Sequence, residues 1–246
     1  MLRVDALLIV LAVSQAPAAP ARQPAWTGEN LQHFPKDIPR EQLVQRMREF
    51  SFALGVRCQY CHAGGDGVSF DGVVFASDEK VAKVKARAML RMVDRINTSL
   101  LPAIPSRAEP GVAVACVTCH RGLPVPKTLQ STLLEIVTRD GAPAAVAKYR
   151  QLRQDDALTG RYDFGEWEIN ELGRRLREAG DLEAAIALLE MNGEFHPKSS
   201  AIDFQIAEMH LVRGEREKAL ARYRAVLEKA PNHALARQRI AEIEKK

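Results

Sequence analysis

The four cysteines of this 246-residue chain all fall in two pentapeptides of one form, Cys58-Gln59-Tyr60-Cys61-His62 and Cys116-Val117-Thr118-Cys119-His120. Two thiols three residues apart can add to the two vinyl groups on one edge of a porphyrin. The next residue then lies beneath the ring, where an imidazole can reach the iron. The pattern therefore assigns Cys58, Cys61, Cys116 and Cys119 to thioether bonds with two haem c groups, and His62 and His120 to the proximal positions on their irons. Other chemistries fit less well. Four-thiolate zinc ribbons separate their pairs by about 15–20 residues, whereas 54 residues lie between Cys61 and Cys116. Zinc also gives no role to a histidine after each pair. A thioredoxin-like redox pair needs a βαβ setting, and a disulfide within C-x-x-C closes too small a loop to constrain much.

An iron that carries electrons needs a sixth ligand, and methionine serves where a higher potential is wanted. Beyond the N-terminal segment the methionines are Met47, Met89, Met92, Met191 and Met209. Met47 lies on a predicted helix that opens at Pro39-Arg40-Glu41 and runs to about Leu54. Met89 and Met92 lie on a second, capped by Ser77 or Asp78 and running to about Asn97, with Val81, Val84, Ala88 and Val93 at helical spacing. A methionine on such a stripe is more often core filler than ligand, and spacing does not choose between Met89 and Met92. His33 is a rival distal ligand for the first haem. The glycine-rich stretch 63–76 between the motifs carries Asp66 and Asp71, but not at EF-hand spacing, and reads as a connecting loop.

The elements that must position these residues are helical. Strand-type alternation is nearly absent, helical periodicity runs through most of the chain, and aromatic residues make up only 6% of it. The fold class is all-α: a two-haem c-type cytochrome domain of helix–haem–helix units over residues 22–127, then a short tetratricopeptide-like helical repeat domain over 128–246. Residues 1–21 read as a signal peptide, with Arg3, the apolar run Ala6 to Val13 and small residues at Ala16-Pro17-Ala18-Ala19. Haem c is attached outside the bacterial cytoplasm, so a periplasmic or secreted location is expected. An uncleaved N-terminal anchor is the alternative, and no stable membrane insertion is expected after cleavage.

Residues 22–127 carry 15 Lys and Arg against 10 Asp and Glu, and residues 128–246 carry 19 against 20. Four haem propionates would nearly offset the first balance. No basic stripe is interleaved with aromatics, so nucleic acid is not an expected partner. Leu123-Pro124-Val125-Pro126 reads as a linker. From Asn170 the chain repeats every 34 residues: Leu172 matches Ile206, Gly173 matches Ala207, Gly180 matches Gly214, Ala185 matches Ala219 and Pro197 matches Pro231. Helix, glycine turn, helix, proline is the tetratricopeptide pattern. Two such units do not bury a continuous face. A predicted helix pair, Thr128–Arg139 and Ala142–Leu152 turning at Gly141, supplies a degenerate first unit.

The segment from Met47 to Gly122 resembles the haem-binding repeat of the photosynthetic reaction-centre cytochrome c subunit family. Leu54-Gly55-Val56-x-Cys58 matches the approach to the first cysteine. Ala86-Arg87-x-Met89-Leu90-x-Met92-x-x-x-Ile96-Asn97 followed by Cys116-x-x-Cys119-His120-Arg121-Gly122 matches a later repeat. Asn30-Leu31-Gln32-x-x-Pro35-x-x-Ile38-Pro39 is similar to smaller two-haem exported relatives. The resemblance covers about residues 29–126. It implies that Met47 and Met89 are the distal iron ligands, with Met92 packing one turn further on. Full subunits of the family carry four haems and a lipid-anchored cysteine; this chain has two motifs and no such cysteine, and Ala113 stands where glycine is usual. Docking to a photosynthetic reaction centre is therefore not implied.

The expected function is an exported dihaem electron carrier, not an enzyme, that meets redox protein partners, with the repeat surface taking a protein partner or a second copy. A haem enzyme or gas sensor with one open coordination site is the alternative, and a zinc-bound scaffold a third.

Overall fold

A computed structural model describes residues 28–106, 111–156 and 159–245. The expected signal peptide lies outside the described residues. The architecture is all-α, with ten helices among the described residues and a single two-stranded hairpin.

Helix α1 spans Arg40–Leu54. It starts where Pro39, at φ −56°, presets the backbone, and it ends at Gly55. The glycine adopts φ +66°, and the Val56 amide closes the turn on the Ser51 carbonyl. A 3-10 turn, Cys58–Tyr60, carries the first motif. Strands β1, Ala63–Gly64, and β2, Val73–Val74, pair antiparallel across the glycine-rich loop. The Asp66 carboxylate accepts from the Val68 and Ser69 amides there, an Asx turn in place of a cation loop.

Helix α2 spans Val81–Arg95, three residues short of the predicted start. Neither expected cap caps it. Ser77 Oγ accepts the Glu79 amide, and the Asp78 carboxylate is taken by Arg87 and Lys83. The helix loosens into a π-type turn over Ile96–Leu100. Helix α3, Cys116–His120, is the second motif itself, and Arg121 beyond it turns left-handed at φ +46°.

Helices α4, Leu129–Asp140, and α5, Ala142–Asp155, form the predicted pair, with Thr128 capping α4 through the Ser131 amide. Then come α6, Glu166–Glu178; α7, Leu182–Phe195; α8, Ser200–Val212; α9, Arg216–Lys229; and α10, Ala234–Glu244. The starts of α6, α8 and α10 are 34 residues apart, as are those of α7 and α9. The small residues at the helix crossings have a physical reason. A Cβ added to Gly173 would meet the Leu189 side chain at 2.8 Å, and Ala207 is fully buried.

The apolar core is unevenly shared. One buried cluster joins α4 to α8 and a second joins α8 to α10. Of the 26 buried apolar residues among those described, only Leu43, Ala53 and Ala63 precede Lys127, whereas 16 of the 19 large exposed apolar side chains do.

Candidate haem-attachment site

Each motif makes one tight turn that gathers its reactive groups. In the first, the Cys61 and His62 amides both bond to the Cys58 carbonyl, at 3.1 and 3.0 Å. In the second, one turn of α3 does the same work, and Thr118 Oγ1 holds the Ala115 amide at 3.0 Å. All four cysteines are free thiols. Burial pushes the Cys61 thiol up, Cys58 adds to the effect, and Lys80 opposes it. Burial likewise raises Cys116. Among the described residues no three His, Cys, Asp or Glu side chains gather as a metal cluster, so the two thiol pairs do not converge as a zinc ribbon would require.

The two motifs meet at a glycine junction. The Gly122 amide donates to the Ala53 carbonyl at 2.8 Å, and a Cβ on Gly55 would stand 2.3 Å from the Gly122 carbonyl oxygen. The end of α1, just before the first motif, therefore packs directly on the end of the second. Asn97 fixes the approach to α3. Its side chain donates to the Val114 carbonyl at 2.8 Å and accepts the Val114 amide at 2.7 Å.

The imidazoles are held differently. His120 Nδ1 lies 2.8 Å from the Leu123 carbonyl; since a carbonyl only accepts, Nδ1 carries the proton and the Nε2 lone pair is left for a metal. His62 sits edge-on to Phe75, ring centroids 5.0 Å apart, with Nδ1 buried and without a hydrogen-bond partner. Burial first, then Lys83, lowers its pKa, which keeps the ring in the neutral form that can ligate iron.

A polar clamp surrounds the first motif. Lys80 Nζ donates to the Gln59 carbonyl at 2.6 Å, and Lys83 Nζ to the Phe75 and Ser77 carbonyls at 2.7 Å each. Arg87 reaches Asp78 at 2.8 Å and the Asn30 carbonyl at 3.1 Å. The Asn30–Gln32 segment is thereby tied to α2. The same arginine, with Asn30 and then Lys83, holds the Asp78 carboxyl well below the usual carboxylate range. Sequence reasoning missed the roles of Lys80, Lys83 and Asp78. Their signal was the spacing of Lys80, Lys83 and Arg87, which puts a basic edge on α2 beside the stripe of Val81, Val84, Ala88 and Met92.

Among the methionines, Met191 and Met209 are buried in the α4–α8 cluster, which leaves Met47, Met89 and Met92. Met47 is half-buried on α1, and Met89 and Met92 are exposed on α2. His33 faces Asp94 of α2 at 3.6 Å.

An all-α chain with two such attachment turns, each ending in an imidazole and neighboured by a methionine-bearing helix, has the make-up of a c-type cytochrome. The model of the family described as "Photosynthetic reaction centre cytochrome C subunit" matches residues 36–158, and the chain belongs to that family. Cytochrome c-554 of Chloroflexus aurantiacus is 42% identical over 74 residues, which are 30% of this chain and 16% of that protein. The photosynthetic reaction center cytochrome c subunits of Rubrivivax gelatinosus and Roseobacter denitrificans are 36% and 33% identical over 75 and 89 residues. Those stretches are 30% and 36% of this chain, and 17% and 22% of the two relatives. The matched part thus spans about a fifth or less of these relatives.

Haem c is the cofactor of this family, and the residues present fit it. The thiols stand in pairs three residues apart, an imidazole follows each pair, and 16 large apolar side chains ahead of Lys127 are exposed among the described residues, as a group with apolar faces requires. No described helix is long and apolar enough to cross a membrane.

Proposed function

We propose that this protein is an exported two-haem electron carrier. Cys58 and Cys61 hold one haem and Cys116 and Cys119 the other, with His62 and His120 as proximal ligands and Met47 and Met89 as distal ligands. Each bound iron supplies a one-electron ferric–ferrous couple. The chain's own part is to fix the imidazoles, supply the thioethers and keep water from the rings. The reading is carried by the uneven core. About a hundred residues with three buried apolar side chains do not hold together by the hydrophobic effect alone, and 16 large apolar side chains turned outward in the same stretch are what two porphyrins would bury.

In this reading residues 22–127 form the haem domain and residues 128–246 a tetratricopeptide-like domain. Two 34-residue units, α6–α7 and α8–α9, follow the α4–α5 pair and are closed by α10. A groove of about 260 Å³ between α6 and α8, lined by Trp167, Asn170, Arg174, Phe204 and Glu208, offers a surface to a protein partner. Export to the periplasm follows from haem c attachment and from the leader-like residues 1–21.

The test is haem content and spectrum of the full chain made with a cytochrome c maturation system. Two haems retained by denatured protein, and two low-spin ferric haems with a weak far-red methionine band, are expected. A colourless chain of bare polypeptide mass overturns the reading. A high-spin haem that shifts with carbon monoxide or cyanide would instead favour an enzyme or sensor with an open site.

A further inference from the structure

We propose that the two haem sites are unequal, Lys83 setting the first at the higher potential, so that an electron on the second haem passes to the first. The inference rests on the two-haem reading and adds the direction of transfer within it.

The proximal imidazoles differ in what their Nδ1 atoms meet. His120 Nδ1 donates to the Leu123 carbonyl at 2.8 Å. Such a bond makes the iron-facing nitrogen more basic and stabilises the ferric state, which lowers the potential. His62 Nδ1 is buried and lacks that bond. The Phe75 backbone lies near enough to favour its charged form, but the Phe75 carbonyl accepts from Lys83 Nζ at 2.7 Å. Lys83 thus draws on that carbonyl and sets its ammonium beside the His62 ring.

Charge acts in the same direction. Lys83 and Arg87 are 12% and 11% exposed in their side chains and are held by a single carboxylate, Asp78, at 3.1 and 2.8 Å. One positive charge is left over beside His62. A fixed cation in a partly desolvated setting disfavours the iron state with the extra positive charge, the ferric one, and so raises the potential. The glycine junction at Gly55 and Gly122 packs the end of α1, just before the first motif, against the end of the second. In the electron transfer the second iron goes from ferrous to ferric and the first from ferric to ferrous. One electron moves and no proton or bond changes place.

The test is a potentiometric titration of the holoprotein, followed by its visible spectrum, in the wild type, Lys83→Gln, Lys83→Arg and Asp78→Asn. The wild type should show two one-electron waves. Lys83→Gln should lower the upper wave alone, shifting its reduced-to-oxidised ratio about tenfold at fixed ambient potential, or about 59 mV for a one-electron couple. Lys83→Arg should keep the wave in place, and Asp78→Asn should raise it. General loosening around the haem would move Lys83→Gln and Asp78→Asn in the same direction, so opposite signs separate charge from packing. A single wave, a shift of the lower wave, a common shift of both or no shift in either variant overturns the proposal. Haem content is measured on the same samples. Fewer than two haems per chain overturns the two-haem reading as well, whereas two haems with the wrong wave pattern overturn this inference alone.

Discussion

A histidine binds iron through a neutral ring, and the two imidazoles here sit in different surroundings. At His62 burial disfavours the imidazolium; at His120 the Leu123 carbonyl fixes the proton on Nδ1. For the proposed distal ligands Met47, Met89 and Met92 remain, because Met191 and Met209 fill the repeat core. Exposure does not separate Met89 from Met92, at 43% and 47%; the family pattern around Ala86 to Asn97 favours Met89. Met89→Ala should therefore turn the second haem high-spin and open it to carbon monoxide. Met92→Ala should leave both ferric spectra unchanged and cost less than about 2 kcal/mol, since a half-exposed side chain loses less than a buried one. Ferric spectra and guanidinium midpoints of the two variants check this, and exchanged outcomes assign the ligand to Met92. The tight turn of each Cys-x-x-Cys-His motif was legible at this scale, since its residues are neighbours in the chain. The Leu123 carbonyl was not, since a backbone oxygen leaves no mark on residue type. Nor were the lysine bonds beside the first motif, Lys83 to the Phe75 carbonyl and Lys80 to the Gln59 carbonyl 21 positions away, which follow from how α2 packs.

The two Cys-x-x-Cys-His turns depend on how α1 and α3 meet. Gly55 combines a left-handed φ of +66° with a 2.3 Å approach of its missing Cβ to the Gly122 oxygen, whereas Gly67, at φ +83°, has nothing within 4 Å. Gly55→Ala and Gly67→Ala share the backbone strain, about 1–2 kcal/mol, but only the first forces two backbones apart. Gly55→Ala is expected to destabilise the haem-bearing half by about 2 kcal/mol more than Gly67→Ala, read as the guanidinium midpoint of the Soret band. Equal losses in both variants would show that the junction carries no packing. Helix bounds were legible where a residue's backbone preference acts alone. Pro39 and Gly55 bracket α1 as predicted, and Gly141 turns α4 into α5. The start of α2 was misplaced because Asp78, a good cap by type, is drawn off by Arg87 and Lys83 from the next turns of the same helix. The π-type turn after Arg95 has no comparable signature, and its register is set by the Asn97 bonds to Val114, 17 residues away.

At the scale of the whole chain, two halves are held together by different physics. The 34-residue period made the second half legible, because its small residues record where helices cross. The first half has no such period, and its apolar side chains are mostly exposed. From Leu129 on, two apolar clusters with fully buried Tyr149, Leu172, Leu188, Ile206 and Tyr223 close the helices on one another. Ahead of Lys127 the exposed apolar side chains, Phe52, Val81, Met89 and Met92 among them, find little protein to pack on. At about 25 cal/mol per Å² of apolar surface buried, covering them with two porphyrins, as proposed, would be the main favourable term for that half. A chain with all four cysteines changed to serine, which cannot retain haem covalently, should therefore lose one half and keep the other. Hydrogen exchange should show α1 and α2 unprotected while α6 to α9 keep their protection, because local stability follows local burial. Haem restored by the wild-type cysteines should slow exchange in α1 and α2 and leave α6 to α9 unchanged. Protected α1 and α2 in the serine variant would mean that the first half folds on its own side chains, and the uneven core would then have another cause.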